Sequence, residues 1–362
     1  MTAVTTPRVF PCETCGADLT FDASAQALAC KFCGAKRDLT FHPEAAVVER
    51  DLEAMLRQLA EHRTANAPLV PGRREFNCVS CAATVTFDRG MTSESCAYCG
   101  SPVVDAAVHE AVERIPVGGV LPFIVERSKA NENLRAWVES RWLAPNDFVR
   151  YGVQGKFSGI YLPYWTFDAM TDVAYRGQRG DHYTVTVGSG KDARREIRTR
   201  WTLASGQFRR FFDDTLVCAA GESKQQLMNS LEPWPLAQMK PFTPDALAGY
   251  HALTYDTELT AGFAVGKQRI DAAIQSDVCD RIGGDTQQVD SIRTQMSALT
   301  FKHVLLPIWM LAYLYNGKSY QVVVNACTGE VQGERPYSPW KVAFVIILAL
   351  VVAAAIAIWS QQ

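Results

Sequence analysis

The chain has 362 residues, 48% of them hydrophobic and 20% charged, with a net charge of -2. That is the composition of a folded protein with room for two or three domains, and it excludes a disordered or low-complexity chain. With 36 Lys/Arg against 38 Asp/Glu there is no global basic field for nucleic acid or lipid headgroups, and residues 1–108 are themselves slightly acidic, with 10 basic side chains against 13 acidic.

The first element is a cysteine quartet, Cys12-x2-Cys15-x14-Cys30-x2-Cys33, and Cys78-x2-Cys81-x14-Cys96-x2-Cys99 repeats its spacing. Phe21-Asp22 and Phe87-Asp88 sit at equal offsets inside the two copies. A C-x2-C turn aims two thiolates at one point, and two such turns complete a tetrahedral shell, so each quartet is expected to hold one structural Zn²⁺. Disulfides are the rival reading. Met1–Arg8 does not read as a signal peptide, so the expectation is a reducing cytosol and metal. The expected units are zinc ribbons over residues 8–40 and 74–106. Between them, at 44–66, the helical spacing of Leu52, Met55, Leu56 and Leu59 predicts a linking helix.

Residues 110–336 read as a duplicated α+β region with antiparallel sheets, in units 110–250 and 251–336. Ile160-Tyr161-Leu162-Pro163-Tyr164-Trp165 is echoed by Val304-Leu305-Leu306-Pro307-Ile308-Trp309. A helix precedes each copy, packed in each unit on an antiparallel meander. Ser128 is the expected cap of the first helix, whose stripe is Leu134, Trp137, Val138 and Trp142. The second is predicted over about 267–282 with Ile270, Ile274, Val278 and Ile282 on one face. Gly-containing turns are expected at Tyr175-Arg176-Gly177 and at Asn316-Gly317, and a hairpin across Ser205-Gly206. The Asn316-Gly317 turn joins Met310–Tyr315 to Lys318–Asn325, and Cys327-Thr328-Gly329 turns into a third strand.

Tests for catalysis find no motif, and the expectation is that the protein is not an enzyme. Gly317-Lys318-Ser319 lacks the upstream glycine of a P-loop, which Ala312 replaces, and sits in a hairpin rather than before a helix. Gly262–Lys267 has the wrong glycine spacing. The six histidines show no metal-binding spacing and read as surface or turn residues. Asp213-Asp214 reads as a turn. Cys218, Cys279 and Cys327 read as buried small hydrophobes.

Val342–Trp359 has 18 residues without a charge. As a helix it spans roughly 27 Å, enough for a thin hydrocarbon core. Trp340 and Trp359 bracket it at the expected membrane interfaces, with Lys341 beside the first. Arg335 and Lys341 on the N-terminal side place the bulk of the chain in the cytosol. The expectation is therefore a single-pass, C-terminal anchor in a bacterial inner membrane, with a docked core helix as the alternative. Ala349, Ala353 and Ala357 form a small-residue stripe along which two spans can approach into a homo-oligomer; alanine filler is the simpler reading.

Paired ribbons, L-P-x-W repeats and the stretch Val324–Pro336 (VNACTGEVQGERP) before an apolar span resemble the bacterial tail-anchored double zinc-ribbon proteins of the transcription factor IIB-type zinc-ribbon family. The resemblance covers nearly the whole chain and implies the eight cysteines as zinc ligands. It also implies membrane-associated partners of the SPFH (flotillin-like) and phage-shock-protein-A-like kinds, in envelope-stress systems, with no assigned reaction. One departure is Ala82, which follows Cys81 where glycines follow Cys15, Cys33 and Cys99. The function expected is a membrane-held scaffold for protein partners. The alternatives are a tethered nucleic-acid-binding ribbon protein and, further off, a membrane-associated enzyme.

Overall fold

The computed structural model describes residues 10–39, 47–63, 69–77, 84–88, 108–112, 114–146, 156–188, 194–220, 225–315 and 318–359. Three sheets and five α-helices are formed among them. The N-terminal sheet has order β1 (Leu19–Asp22), β2 (Ala27–Cys30), β3 (Lys36–Asp38), all antiparallel. After β4 (Arg50–Asp51), α1 spans Leu52–Arg63, and its Leu52 is fully buried against Trp165 and Phe167 with Met55, Leu56 and Leu59 alongside. This helix falls inside the span predicted as a linking helix and packs on the central sheet; residues 44–46 and 64–66 of that span lie outside the described residues. A second small sheet has β5 (Leu69–Asn77) between β6 (Thr84–Asp88) and β7 (Val108–Val112). Asp88 ends β6 as Asp22 ends β1. Cys78, Cys81, Cys96 and Cys99, with Ala82, lie outside the described residues.

The remaining strands build one nine-stranded sheet. Its main path is β10 (Arg194–Cys218), β9 (Lys156–Val187), β13 (Thr286–Tyr315), β14 (Lys318–Asn325) and β15 (Val331–Gly333). Short strands β8 (Gly119–Val120), β11 (Lys240–Pro241) and β12 (His251–Ala252) border it, with β4. Four helices complete the chain: α2 (Arg127–Glu139), α3 (Gln225–Asn229), α4 (Leu259–Ile282) and α5 (Pro339–Trp359).

The repeat of the sequence becomes a local two-fold. In the antiparallel β9–β13 pair Leu162 faces Leu306, Ile160 faces Ile308 and Tyr164 faces Val304, so the two copies run past each other about their own midpoint. The relation extends outward. β12 pairs parallel with Ile160–Tyr161, and β8 pairs parallel with Val304–Leu305. The Trp165 indole N–H donates to Thr257 O, and that of Trp309 to Val125 O, each at 2.8 Å. The N–H groups of Asp256 and Thr257 converge on Ala219 O, and those of Ile124 and Val125 on Ala326 O. The segment before each helix is therefore bound to the strands of the other repeat. In keeping with this, α2 packs on β14 and β15, and α4 on β9, β10 and β13.

This arrangement corrects the expectation of two self-contained units. Helix and meander are exchanged between the repeats, and all long strands share one sheet. The core lies where they cross: Tyr161, Tyr164, Trp165, Phe167 and Phe301 are fully buried.

Other local expectations are also revised. Tyr175–Gly177 and Ser205-Gly206 are not turns; they pair with each other in the middle of two continuous strands. Gly206 is required because a β-carbon there would lie 2.7 Å from the Tyr175 hydroxyl, so the glycine makes room for a cross-strand ring. Ser128 lies inside α2, whose N-cap is Glu126, and its hydroxyl donates to the Glu126 carboxylate at 3.3 Å. Trp142 falls beyond the helix end and is 63% exposed. Asp213-Asp214 is a bulge in β10, with Asp214 at φ 50°. The second predicted helix begins earlier, at Leu259, but buries Ile270, Ile274, Val278 and Ile282 as its pattern requires. The hairpin between β13 and β14 holds, with Tyr315 opposite Lys318, and Asn316-Gly317 lies outside the described residues. The third strand, β15, follows Cys327-Thr328-Gly329 as expected.

Candidate metal centre and membrane-facing helix

The first quartet is assembled by two knuckles of the same construction. Cys12 N–H donates to Ala17 O and Gly16 N–H to Cys12 O; Cys30 N–H donates to Ala35 O and Gly34 N–H to Cys30 O. Each closure needs a left-handed residue after the second cysteine, and Gly16 (φ 69°) and Gly34 (φ 75°) supply it. The four Sγ atoms lie within 4.8 Å of one another, with Cys12–Cys33 and Cys15–Cys30 at 3.5 Å. A disulfide needs about 2.05 Å, so these thiols are not bonded to each other. A tetrahedral ion with bonds of about 2.3 Å sets its sulfurs about 3.8 Å apart, which these separations approach. Cys12, Cys15, Cys30 and Cys33 can therefore hold one metal ion.

Backbone donors prepare the sulfurs for that role. The Cys15 N–H bonds the Cys12 sulfur and, helped by the Thr14 N–H against the opposing effect of burial, brings its thiol down to about 6. The Cys33 and Phe32 N–H groups lower Cys30 in the same way. At Cys33 the Ala35 N–H also lowers the thiol, but the sulfurs of Cys15, Cys12 and Cys30 and burial push it up to about 12. Four touching thiols do not all lose their protons without a cation among them.

The sheet that carries the quartet is docked, not pendant. Leu19, Phe21 and Leu28 belong to the same core cluster as Phe123 and Tyr161. Phe21 N–H donates to Ala248 O at 2.9 Å, and the Gln26 side-chain amide donates to Phe123 O at 2.8 Å. Tyr250 stacks on Phe123 with ring centroids 3.9 Å apart and meets Phe21 at 6.4 Å.

α5 carries the second feature. Pro339–Ile356 has a mean hydropathy of 2.4 and none of it is buried against the rest of the protein. By length and composition it can cross a membrane, and the docked-core alternative does not describe it. Trp340 and Trp359 are 86% and 79% exposed. The Lys341 ammonium donates to Ala144 O at 2.8 Å and to Asn146 Oδ1 at 2.7 Å, so it ties the first turn of α5 to the segment after α2.

Sequence reasoning missed an ionic cluster built around the buried Asp168 and Lys302. Carboxylate oxygens of Asp168, Asp213 and Asp214 lie within 4.8 Å of one another where two bulges flank Asp168, at 213–214 in β10 and 298–299 in β13. Lys302 Nζ sits 2.7 Å from Asp214, 3.1 Å from Glu49 and 3.5 Å from Asp168, so an ammonium already occupies the centre. Thr300 Oγ1 and Asp214 N–H donate to the two oxygens of Asp168. The only sequence signal was a charged residue inside an apolar run. Burial opposes the Lys302 charge, but the Asp214 and Asp168 carboxylates outweigh it and raise the ammonium's pKa. Lys302→Met should therefore cost about 3–5 kcal/mol, because Asp168 is left buried and unpaired. Burial, then the charges of Asp214 and Asp168, already raises the Asp213 pKa. A raised folded-state pKa stabilises at acid pH and loses that contribution as pH rises. Chemical denaturation of Lys302→Met should accordingly show part of the loss recovered as pH falls from about 7 toward about 4. A loss independent of pH would contradict the account.

His303 is a further correction. It is a buried strand residue, 6% exposed, with Nδ1 2.9 Å from Ile115 O. Burial holds its pKa down to about 4, so it is neutral at physiological pH. Of the scattered cysteines Cys218 is buried, while Cys279 and Cys327 are half-buried.

No protein-family model matches this chain. No solved structure matches it either. The chain is similar to the uncharacterized protein YdjG of Bacillus subtilis (strain 168), with 26% identity over 345 residues covering 92% of each chain.

Proposed function

We propose that the protein is a tail-anchored scaffold that holds membrane-associated proteins at the cytosolic face of a bacterial inner membrane. The observation that carries this reading is α5, whose apolar surface has no partner within the fold and whose base is fastened to the globular body by Lys341. In this reading the quartet of Cys12, Cys15, Cys30 and Cys33 binds Zn²⁺ as a closed structural site. Four thiolates and tetrahedral sulfur spacing suit zinc, and they leave no open position to activate water. The second quartet binds another Zn²⁺ in the same way. Tethering raises the effective concentration of the body near other membrane proteins, so modest contacts suffice. The sequence resemblance supports partners of the SPFH (flotillin-like) or phage-shock-protein-A-like kind, in envelope stress or membrane organisation.

The test is to express the full chain and residues 1–338 alongside such candidate partners. The truncated form is expected in the aqueous fraction with the partners released, and crosslinking in membranes should capture them with the full chain alone. Undiminished recruitment by the truncated form would end this proposal.

A further inference from the structure

A cavity of about 420 Å³ opens beside the base of α5, walled by Trp137, Arg141, Gln332, Glu334, Arg335 and Tyr337. Two elements meet there. One is the C-terminal end of α2 and the residues just after it. The other is the segment from β15 to α5. They are joined by Ser338 N–H donating to Leu143 O at 2.9 Å and by the Lys341 bonds to Ala144 and Asn146. Both guanidiniums rest against aromatic rings, Arg141 4.6 Å from the Trp137 centroid and Arg335 5.2 Å from that of Tyr337. The Arg335 guanidinium also donates to the Tyr337 hydroxyl at 3.4 Å.

The wall has donors to spare. The Trp137 indole N–H and the Arg141 Nε–H are buried and have no acceptor among the described residues. Burying a donor without an acceptor is destabilising, and an oxyanion in the cavity would relieve it. Glu334 is engaged within the protein and brings one negative charge against the two guanidiniums. The balance is one positive charge, which suits a singly charged phosphodiester. Arginine's planar fork matches phosphate oxygens in pairs, and a guanidinium already held against a ring loses little freedom on binding.

We infer that this cavity is a binding site for the phosphodiester headgroup of an anionic phospholipid. The inference rests on reading α5 as a membrane span. Arg335 and Tyr337 lie within four residues of Pro339, where α5 begins. A span starting there sets the cavity at the depth of the headgroups, a layer several ångströms thick outside the hydrocarbon core. Trp142 and Trp340, 63% and 86% exposed on the two elements, are suited to the same layer. A soluble phosphate ester offers the same oxygens, but nothing about a soluble ligand requires the site to adjoin the span.

The experiment uses the full chain in nanodiscs of phosphatidylcholine alone or mixed with phosphatidylglycerol, with retained lipid counted by native mass spectrometry. The full chain should retain phosphatidylglycerol over phosphatidylcholine by about tenfold, and Arg141→Gln/Arg335→Gln should abolish that preference. Arg335→Gln alone should reduce it without altering the melting curve, which keeps the test open should the double variant unfold. Arg195→Gln, an exposed control on β10, should leave it unchanged. Equal retention by the full chain and the variants overturns the site. Arginine-dependent binding of inorganic phosphate in lipid-free detergent, with no phosphatidylglycerol preference, overturns the lipid assignment. A chain that is soluble without detergent yet binds short-chain phosphatidylglycerol through these arginines would sink the span reading and keep the cavity. An integral chain without lipid preference would do the reverse.

Discussion

On the zinc reading proposed above, Cys30→Ser is expected to unfold the quartet-bearing sheet β1–β3 and to loosen the body beneath it. A structural Zn²⁺ contributes about 10–16 kcal/mol of apparent binding free energy in small zinc domains at neutral pH. The three short strands around the quartet form a core too small to fold without such an ion. Once the knuckles open, Leu19, Phe21 and Leu28 leave the cluster they share with Phe123 and Tyr161. Each such side chain loses about 1.5–3 kcal/mol of burial. Hydrogen exchange should show protection lost at Phe21, Cys12, Gly16 and Gly34, and weakened at Tyr250, which stacks on Phe123. The central pairing of Leu162 with Leu306 should stay protected. Cys279→Ser, at a half-buried position on α4, should change stability by less than about 1 kcal/mol. Metal analysis of the reduced protein should lose one zinc in Cys30→Ser. Retained zinc or unchanged protection over residues 10–39 would refute the assignment of these four ligands.

Leu348→Arg/Val352→Arg is expected to take the protein out of the membrane without unfolding it. The two positions are one turn apart on the same face of α5. Each arginine near the middle of a span costs about 2.5–3.5 kcal/mol on translocon-derived scales, so the pair costs about 5–7 kcal/mol. The apolar residues of the span each return only about 0.3–0.6 kcal/mol on the same scale, so the pair cancels much of the insertion free energy. The variant should move from the alkali-resistant membrane fraction to the aqueous one. Its melting temperature should match that of residues 1–342, which keep the Lys341 bonds to Ala144 and Asn146, because Leu348 and Val352 are exposed and touch nothing the body needs. Persistence in the alkali-resistant fraction would show that α5 does not anchor by insertion.

Features encoded over short distances were legible in the sequence. The C-x2-C-G knuckles are visible because cysteine spacing and the following glycine specify both the aim of the sulfurs and the left-handed closure at Gly16 and Gly34. The buried stripe of α4 follows from the period of Ile270, Ile274, Val278 and Ile282. Glycine misled at Gly177 and Gly206, where close cross-strand approach, not chain reversal, needs the missing side chain. For His303 and Asp168 the only local sign was a polar residue inside an apolar run, because what buries them comes from elements far away in the chain.

The sequence by itself determined the two knuckles of the first quartet, the presence of a repeat and an apolar helix long enough for a bilayer. Each knuckle, each copy of the repeat and the helix is written in a short run of neighbouring residues. Only the tertiary structure decided that the repeats exchange their helices across a two-fold at Leu162 and Leu306, that the quartet-bearing sheet packs onto Phe123 and Tyr250, and that Lys302 neutralises Asp168. It also decided that two distant arginines meet beside the base of α5. Strand pairing is non-local: the same alternation of side chains fits either repeat as partner, and the choice is made by which pairing lets both indole N–H groups and both β–helix connections be satisfied at once.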